Sequence, residues 1–426
     1  MSSAMTPRCH RVHVTTGRMV VTSRPAALLA AVGDTSVRRG EDSDALSPVL
    51  VACPVSTAVR CPADLVVQPT TWCNLDCRYC YLPFRKLKHQ MSAEVAEALA
   101  QEVAQFDDSG HPVGVVWHGG EPLAVGRQKF ESLLAPFEGL RCAGRVHHYL
   151  QTNATLLTES WCALLAAHDV RVGVSIDGPA DLNAERVDLR GKPVFDRILR
   201  GMTKLREHGI PFSVISVVGA LGITMPEELL EFLSALGGHS VGFNIEEIEG
   251  VNTDRQPPTA VQAEEFWRRT LTWSREHPDA PVVREVDRLA EYLQLIRSGQ
   301  RAEWERRRLD PIPTVSWKGD VVLLSPELAD TEAPEYDHFV AGNILEQPLA
   351  EILREAHRLG YVRDFLTGLD RCQAECQFFD FCRGAQAANR YFENGSLRST
   401  ETNYCRVSRQ ALVTALATLA TKETAA

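Results

Sequence analysis

From Asp64 onward the chain alternates short β-branched runs with longer stretches in which apolar residues recur every three to four positions. Leu65–Gln68, Val113–His118, Val146–Gln151, Val170–Ile176, Phe212–Val218 and Val241–Ile245 read as strands, since runs rich in Val, Ile and Phe fit a pleated, buried surface. Helices are predicted between them near 92–106, 126–137, 158–168, 194–208 and 226–236. In the first, Val95, Leu99, Val103 and Phe106 share one face behind Ser92, a predicted N-cap. The last opens with Thr224 and Glu227, which read as a capping box around Pro226. Strand followed by helix, repeated, predicts parallel strands joined by right-handed crossovers.

The pattern divides the chain. Residues 1–60, rich in Ser, Thr, Arg and Gly, show no sustained period and read as a poorly ordered extension with a short strand at Val49–Ala52. Residues 61–260 carry the strand–helix repeat. Residues 261–310 read as a helical linker, with helices near 261–275 and 282–297, the second placing Val286, Leu289, Leu293 and Ile296 on one face. A composition break at Trp304–Arg308 leads into residues 311–426, which show few regular signals before a closing helix with Leu412, Leu416 and Leu419. Periodicity leaves open whether the strands form a doubly wound sheet or a partial (β/α)6 TIM-type barrel. The polar segments decide in favour of the barrel. Thr71–Pro83, His118–Pro122, Gln151–Ala154, Ser175–Pro179 and Asn244–Glu247 each lie at or just past the C-terminal end of a strand, where barrel active sites gather.

The 426 residues, 44% of them hydrophobic, suffice for about two or three domains. No apolar run approaches the ~18 residues of a spanning helix, so no membrane partner is expected. Arg8, Arg11 and Arg18 precede only a short apolar stretch broken by Gly33 and Asp34, so no signal peptide is read. A net charge of −10 without a Lys/Arg block argues against nucleic acid. Seven of the twelve cysteines are closely spaced, which suits metal ligation in a reducing cytoplasm better than disulfides.

Those seven form two groups. Cys73, Cys77 and Cys80 make a CxxxCxxC triplet with Tyr79 before the third cysteine. A structural zinc site closes with four protein ligands, whereas three thiolates on a 4Fe-4S cluster leave one iron open to a small molecule. Cys372, Cys376, Cys382 and Cys405 form the second group, and four thiolates satisfy either a structural zinc or a closed cluster. Of the remaining Cys9, Cys53, Cys61, Cys142 and Cys162, the last sits beside Trp161 and Leu164 as a small buried hydrophobe.

Taken together, residues from about 62 to 250 resemble the radical S-adenosylmethionine (SAM) enzymes. The resemblance implies that Cys73, Cys77 and Cys80 hold a 4Fe-4S cluster whose open iron chelates SAM, with Tyr79 beside the adenine. Gly119, Gly120 and Glu121, before Pro122, look like the glycine-rich motif that receives the methionine ammonium. Asn153 and Ser175 match contacts to ribose or carboxylate, and Arg186 matches an arginine that pairs with the carboxylate. The four later cysteines, with Trp317–Leu324 and Gly342–Ile344, resemble a C-terminal SPASM or twitch extension, which implies iron–sulfur and not zinc. Ser325 stands where a fuller extension has a cysteine, so one auxiliary 4Fe-4S cluster is expected and not two. Phe243–Gly250 and Asn389–Gly395 resemble the Grr-type cyclophane-forming maturases of ribosomal precursor peptides. In that family a 5′-deoxyadenosyl radical removes a side-chain hydrogen and an aromatic ring carbon joins a β-carbon. Glu246 or Glu247 would take the ring proton, with Glu249 on the same side of the segment as Glu247. The resemblance also implies a reducing partner such as ferredoxin or flavodoxin. No winged-helix module is read in the first 60 residues, so leader recognition falls to the barrel rim or the extension. Two other readings are a sulfatase-maturase-like oxidation of a Cys or Ser side chain and a non-catalytic iron–sulfur protein in electron transfer or redox sensing.

Overall fold

A computed structural model describes residues 62–106, 111–305, 312–384 and 386–425. The expected disorder of residues 1–60, the strand at 49–52 and Cys9, Cys53 and Cys61 lie outside the described residues. Six parallel strands, β1 (Asp64–Val67), β2 (Val113–Trp117), β3 (Val146–Thr152), β4 (Arg171–Ser175), β5 (Phe212–Val218) and β6 (Ser240–Ile245), pair in sequence order. A doubly wound sheet reverses its order at one point and places helices on both faces. Here every step goes to the next neighbour in one direction, so right-handed crossovers put all the helices on one side and the strand tips on one rim. The α/β partial barrel expected from the polar segments is the fold observed.

The crossovers carry α1 (Ala93–Gln105), α2 (Arg127–Leu134), α3 (Glu159–Ala167), α4 (Phe195–Glu207) and α5 (Pro226–Ala235). Ser92 caps α1 as expected, its hydroxyl accepting from the Val95 N–H at 3.2 Å. The capping box before α5 does not form. Pro226 occupies the first helical position and puts the cap on Met225, one residue too late for Thr224, which donates instead to the Leu221 carbonyl at 2.8 Å. Glu227 turns away to Arg269.

The sheet then grows at both ends. After α6 (Ala260–Glu276), β7 (Val282–Val283) adds to β6 and leads into α7 (Arg284–Arg297). At the other end β8 (Thr314–Val315) adds parallel to β1, and β9 (Asp320–Val322) and β10 (Val340–Asn343) follow antiparallel, giving one ten-stranded sheet. The C-terminal part is more regular than its sequence suggested: α8 (Gly360–Glu375) buries Tyr361, Val362, Phe365 and Cys372 on one face, ahead of α9 (Ala387–Asn394) and α10 (Ala411–Ala425). Trp267 of α6 is fully buried and donates its indole N–H to the Val407 carbonyl at 2.7 Å, tying the middle of the chain to its end. Among the described residues no helix is long and apolar enough to cross a membrane.

Gly201 of α4 has no room for a side chain: a Cβ there would lie 2.0 Å from the Ala154 carbonyl oxygen, next to Asn153. Gly201→Ala is expected to lower stability by about 1–3 kcal/mol in urea unfolding. Gly139→Ala, in open space, should not.

Candidate active site

The cysteine loop is clamped from several sides. Thr70 and Thr71 donate their hydroxyls to the His89 and Leu87 carbonyls at 2.5 and 2.7 Å, and the Cys73 N–H donates to the Arg85 carbonyl at 2.8 Å. Across the loop, the Asp76 and Arg78 N–H groups donate to the carbonyls of Val187 and Glu185 at 2.8 and 3.0 Å. Below it runs the turn after β2. Gly119 and Gly120 have φ of +90° and +58°, and a Cβ on Gly120 would meet the Trp72, Thr70 and Thr71 carbonyl oxygens at 2.5, 2.8 and 2.8 Å. Only glycine permits this approach. The Glu121 N–H then reaches the Trp72 carbonyl at 2.9 Å.

Glu121 is buried and accepts from the Leu123 N–H (3.1 Å), the Thr152 hydroxyl (2.8 Å) and the Asn153 N–H (2.8 Å). Burial nevertheless pushes its carboxyl up to about 7. Asn153 turns back to the cysteine loop, its amide 3.0 Å from the Asn74 oxygen and 3.8 Å from the Cys73 sulfur. Ser175, at the end of β4, accepts from Gln151 at 2.8 Å. Arg186 and Tyr79 meet on a residue that sequence reasoning did not single out. Asp177 accepts two bonds of 2.9 Å from Arg186 and one of 2.6 Å from the Tyr79 hydroxyl, and the guanidinium lies 5.5 Å from the Tyr79 ring centroid. Asp177 stood in the Ser175–Pro179 run, but nothing in the sequence linked it to Tyr79.

Cys73, Cys77, Cys80, Tyr79, Gly120, Glu121, Asn153, Ser175 and Arg186 all line one cavity of about 540 Å³. Gly119 lies beside it against Gln68. Burial raises all three thiols, Cys77 to about 11 even with Arg186 opposing it.

The far wall of the cavity is the segment after β6. Gly250 (φ +54°) presses on the cysteine loop, where a Cβ would lie 2.2 Å from the Tyr81 carbonyl oxygen. Glu246 pairs with Arg255, which also holds Glu185 at 3.0 Å. Glu247 and Glu249 share the amide of Asn389 at 2.6 and 3.1 Å, and Glu327, bonded by Ser325, stands on the same wall. Burial pushes Glu247, Glu249 and Glu327 up, and repulsion from neighbouring carboxylates, Glu327 among them, adds to it for Glu247 and Glu249. Neither Glu327 nor Asn389 was a candidate in the sequence.

Cys372, Cys376, Cys382 and Cys405 line a second cavity of about 480 Å³. Tyr404, next to Cys405, lines the first cavity, and Arg409 lines both.

Residues 67–236 match the Radical SAM superfamily. An uncharacterised protein of Synechocystis sp. is 32% identical over 80% of this chain and 88% of its own length. A serine-type anaerobic sulfatase-maturating enzyme of Bacteroides thetaiotaomicron is 26% identical over 78% of this chain and 84% of its own. Among solved structures, anSMEcpe with bound AdoMet superposes with a TM-score of 0.66 at 20% identity, covering 85% of this chain and 99% of that one. Streptococcus suis SuiB bound to its precursor peptide SuiA gives 0.60 at 18% identity, covering 81% and 76%.

The raised carboxyl of Glu121 has a pH signature. A folded-state value near 7 against an ordinary 4.5 means that the folded chain holds this proton longer than the unfolded chain. The stabilisation is complete below pH 4.5 and lost as pH rises through 7, about 3 kcal/mol in all. Wild type minus Glu121→Gln, measured by urea unfolding across that range, should show this loss. Parallel curves would contradict it.

Proposed function

We propose, from the fact that this chain belongs to the radical SAM superfamily, that it matures a ribosomally made peptide by forming a carbon–carbon crosslink between an aromatic ring carbon and a neighbouring β-carbon. The observation that carries this reading is the single cavity joining the three-cysteine loop, the Gly119–Glu121 turn and the acidic wall after β6. Membership in the superfamily makes the chain an enzyme and removes the non-catalytic reading. The overlaid maturase structures, and the peptide bound in one of them, favour a peptide as substrate.

The residues present fit the group that the family uses. Three half-buried thiols whose ionisation is opposed by desolvation become stable thiolates only against nearby positive charge, which cluster iron supplies. Cys73, Cys77 and Cys80 would hold a 4Fe-4S cluster with an open iron for SAM; bound together, these supply the radical that removes a side-chain hydrogen. Gly119, Gly120 and Glu121 offer carbonyls and a carboxylate to the SAM ammonium, and Asn153 and Ser175 offer donors to ribose or carboxylate. Arg186 commits Nε and Nη2 to Asp177, which leaves Nη1 for a carboxylate and fixes Tyr79 as a wall for the adenine.

Of the two candidate bases, Glu246 is committed to an ion pair with Arg255. Glu247, raised by burial, is the better match for taking a ring proton near neutral pH. The second cavity, lined by Cys372, Cys376, Cys382 and Cys405, would take a closed auxiliary cluster on those four sulfurs. That cluster would accept the electron released when the ring regains aromaticity, residues 311–426 thereby completing chemistry begun in residues 61–260. A ferredoxin or flavodoxin in a reducing cytoplasm completes the set of partners.

A second reading, oxidation of a Cys or Ser side chain to an aldehyde, is favoured by the likeness to the Bacteroides sulfatase-maturating enzyme. Both readings remove two hydrogens, so mass alone does not separate them. An aldehyde reacts with hydrazides; a crosslinked ring does not, and it resists fragmentation between the joined residues.

The test is anaerobic reconstitution with iron and sulfide, reduction, and addition of SAM with peptides encoded beside the gene. Wild type should release 5′-deoxyadenosine and Cys77→Ala none; absence of 5′-deoxyadenosine from reconstituted wild type defeats the proposal. Glu247→Gln should keep SAM cleavage but lower crosslinking by about 100-fold or more, with a smaller loss for Glu246→Gln. Full crosslinking in both variants removes them from the mechanism.

A further inference from the structure

Arg390 of α9 is fully buried, and its guanidinium is satisfied by no carboxylate among the described residues. Nη2 donates to the Cys372 sulfur at 3.2 Å, Nη1 reaches the Leu397 carbonyl at 3.5 Å, and Nε has no partner. The flat of the group lies 4.9 Å from the Phe365 ring centroid. Space has been made for it: a Cβ on Gly368, one turn before Cys372 on α8, would lie 2.2 Å from Nη1.

A buried arginine without an anion is strongly unfavourable, and an arginine does not shed its proton to escape the cost. The charge that answers it must come from what it faces. The titratable groups that act on Arg390 are Cys372, Cys405 and Cys382, three of the four cysteines around the second cavity. Neutral thiols would leave the cation unanswered. Four thiolates carrying a cluster would not.

We infer that Arg390 is the counter-charge of an iron–sulfur cluster held by Cys372, Cys376, Cys382 and Cys405, and that it makes this cluster easier to reduce. The inference rests on the reading of these cysteines as cluster ligands. Reduction adds one electron and one negative charge to the cluster, with no bond made or broken in the cage. A fixed positive charge at 3.2 Å from one ligand sulfur favours that state. In the proposed reaction the electron comes from the substrate radical as its ring loses a proton. Arg390 touches neither substrate nor reacting atoms and is a positioning residue, setting the cluster's potential through the ligand it contacts.

The experiment is a redox titration followed by electron paramagnetic resonance, on the Cys73→Ala, Cys77→Ala, Cys80→Ala protein so that only the second cluster reports. The parent protein should bind about four irons and four sulfides. Zinc without sulfide there overturns the inference together with the reading of the cage on which it rests. With iron bound, Arg390→Gln should make reduction about tenfold less favourable, a shift of 59 mV to more negative potential for one electron, and Arg390→Lys should stay close to the parent. A Gln variant that cannot hold iron beside a Lys variant that can also supports the inference, since only the Lys variant keeps the positive charge. An unchanged potential in a fully loaded Gln variant overturns it, as does loss of iron from both variants, which would make the guanidinium's shape and not its charge the requirement.

Discussion

The backbone at Gly120 rests on three consecutive carbonyls, those of Thr70, Thr71 and Trp72, at a distance that excludes even a methyl group. That contact joins the tips of β1 and β2, and the rest of the cavity is built from it. It brings the Glu121 N–H to Trp72, which aims the carboxylate at Thr152 and Asn153 on the tip of β3. Asn153 returns to Asn74 and the Cys73 sulfur and closes the ring. Three strand ends are thus fixed by one close approach and a circuit of hydrogen bonds. The cysteine triplet itself has little to pack with. Its geometry is borrowed from its neighbours.

Charge is sorted along the cavity with equal care. Near the cysteines, Asp177 answers Arg186 and fixes Tyr79; at the opposite wall, Arg255 answers Glu246. Glu247 and Glu249 share that wall with the Asn389 amide in place of a cation, and burial raises them and Glu327 above the ordinary carboxyl range. Burial without a counter-charge is how a site brings a carboxyl to a strength suited to proton transfer. Beside the second cavity Arg390 follows the reverse logic, donating to the Cys372 sulfur with no carboxylate partner among the described residues.

Strands were legible because each is a short β-branched run with a polar segment at its tip, and those tips also revealed the barrel, since sequence order and sheet order coincide. The cysteines, Gly119, Gly120, Glu121, Asn153 and Ser175 were legible for the same reason: each follows a strand directly. What escaped was contact across distance. Glu247 meets Asn389 at a separation of 142 residues, and Tyr79 meets Asp177 at 98. No local pattern encodes either. The cap at Thr224 failed through a shift of one residue imposed by Pro226, and α8 was missed because its apolar face is interrupted by Gly368, whose reason for being glycine is a guanidinium on another helix.

One feature of the sheet bears on how the chain is made. β1 pairs on one side with β2, which follows it closely, and on the other with β8, whose residues Thr314 and Val315 come nearly three-quarters of the way along. During synthesis, at roughly 5–20 residues per second, the edge of β1 stays unpaired for on the order of ten seconds or more after its own emergence. An open parallel edge next to a reactive cysteine loop is a site for misplaced pairing. The late arrival of β8 closes that edge as the second set of cysteines is about to emerge. Both cysteine-bearing regions therefore reach their final surroundings in the same closing stage of folding, late in the making of the chain.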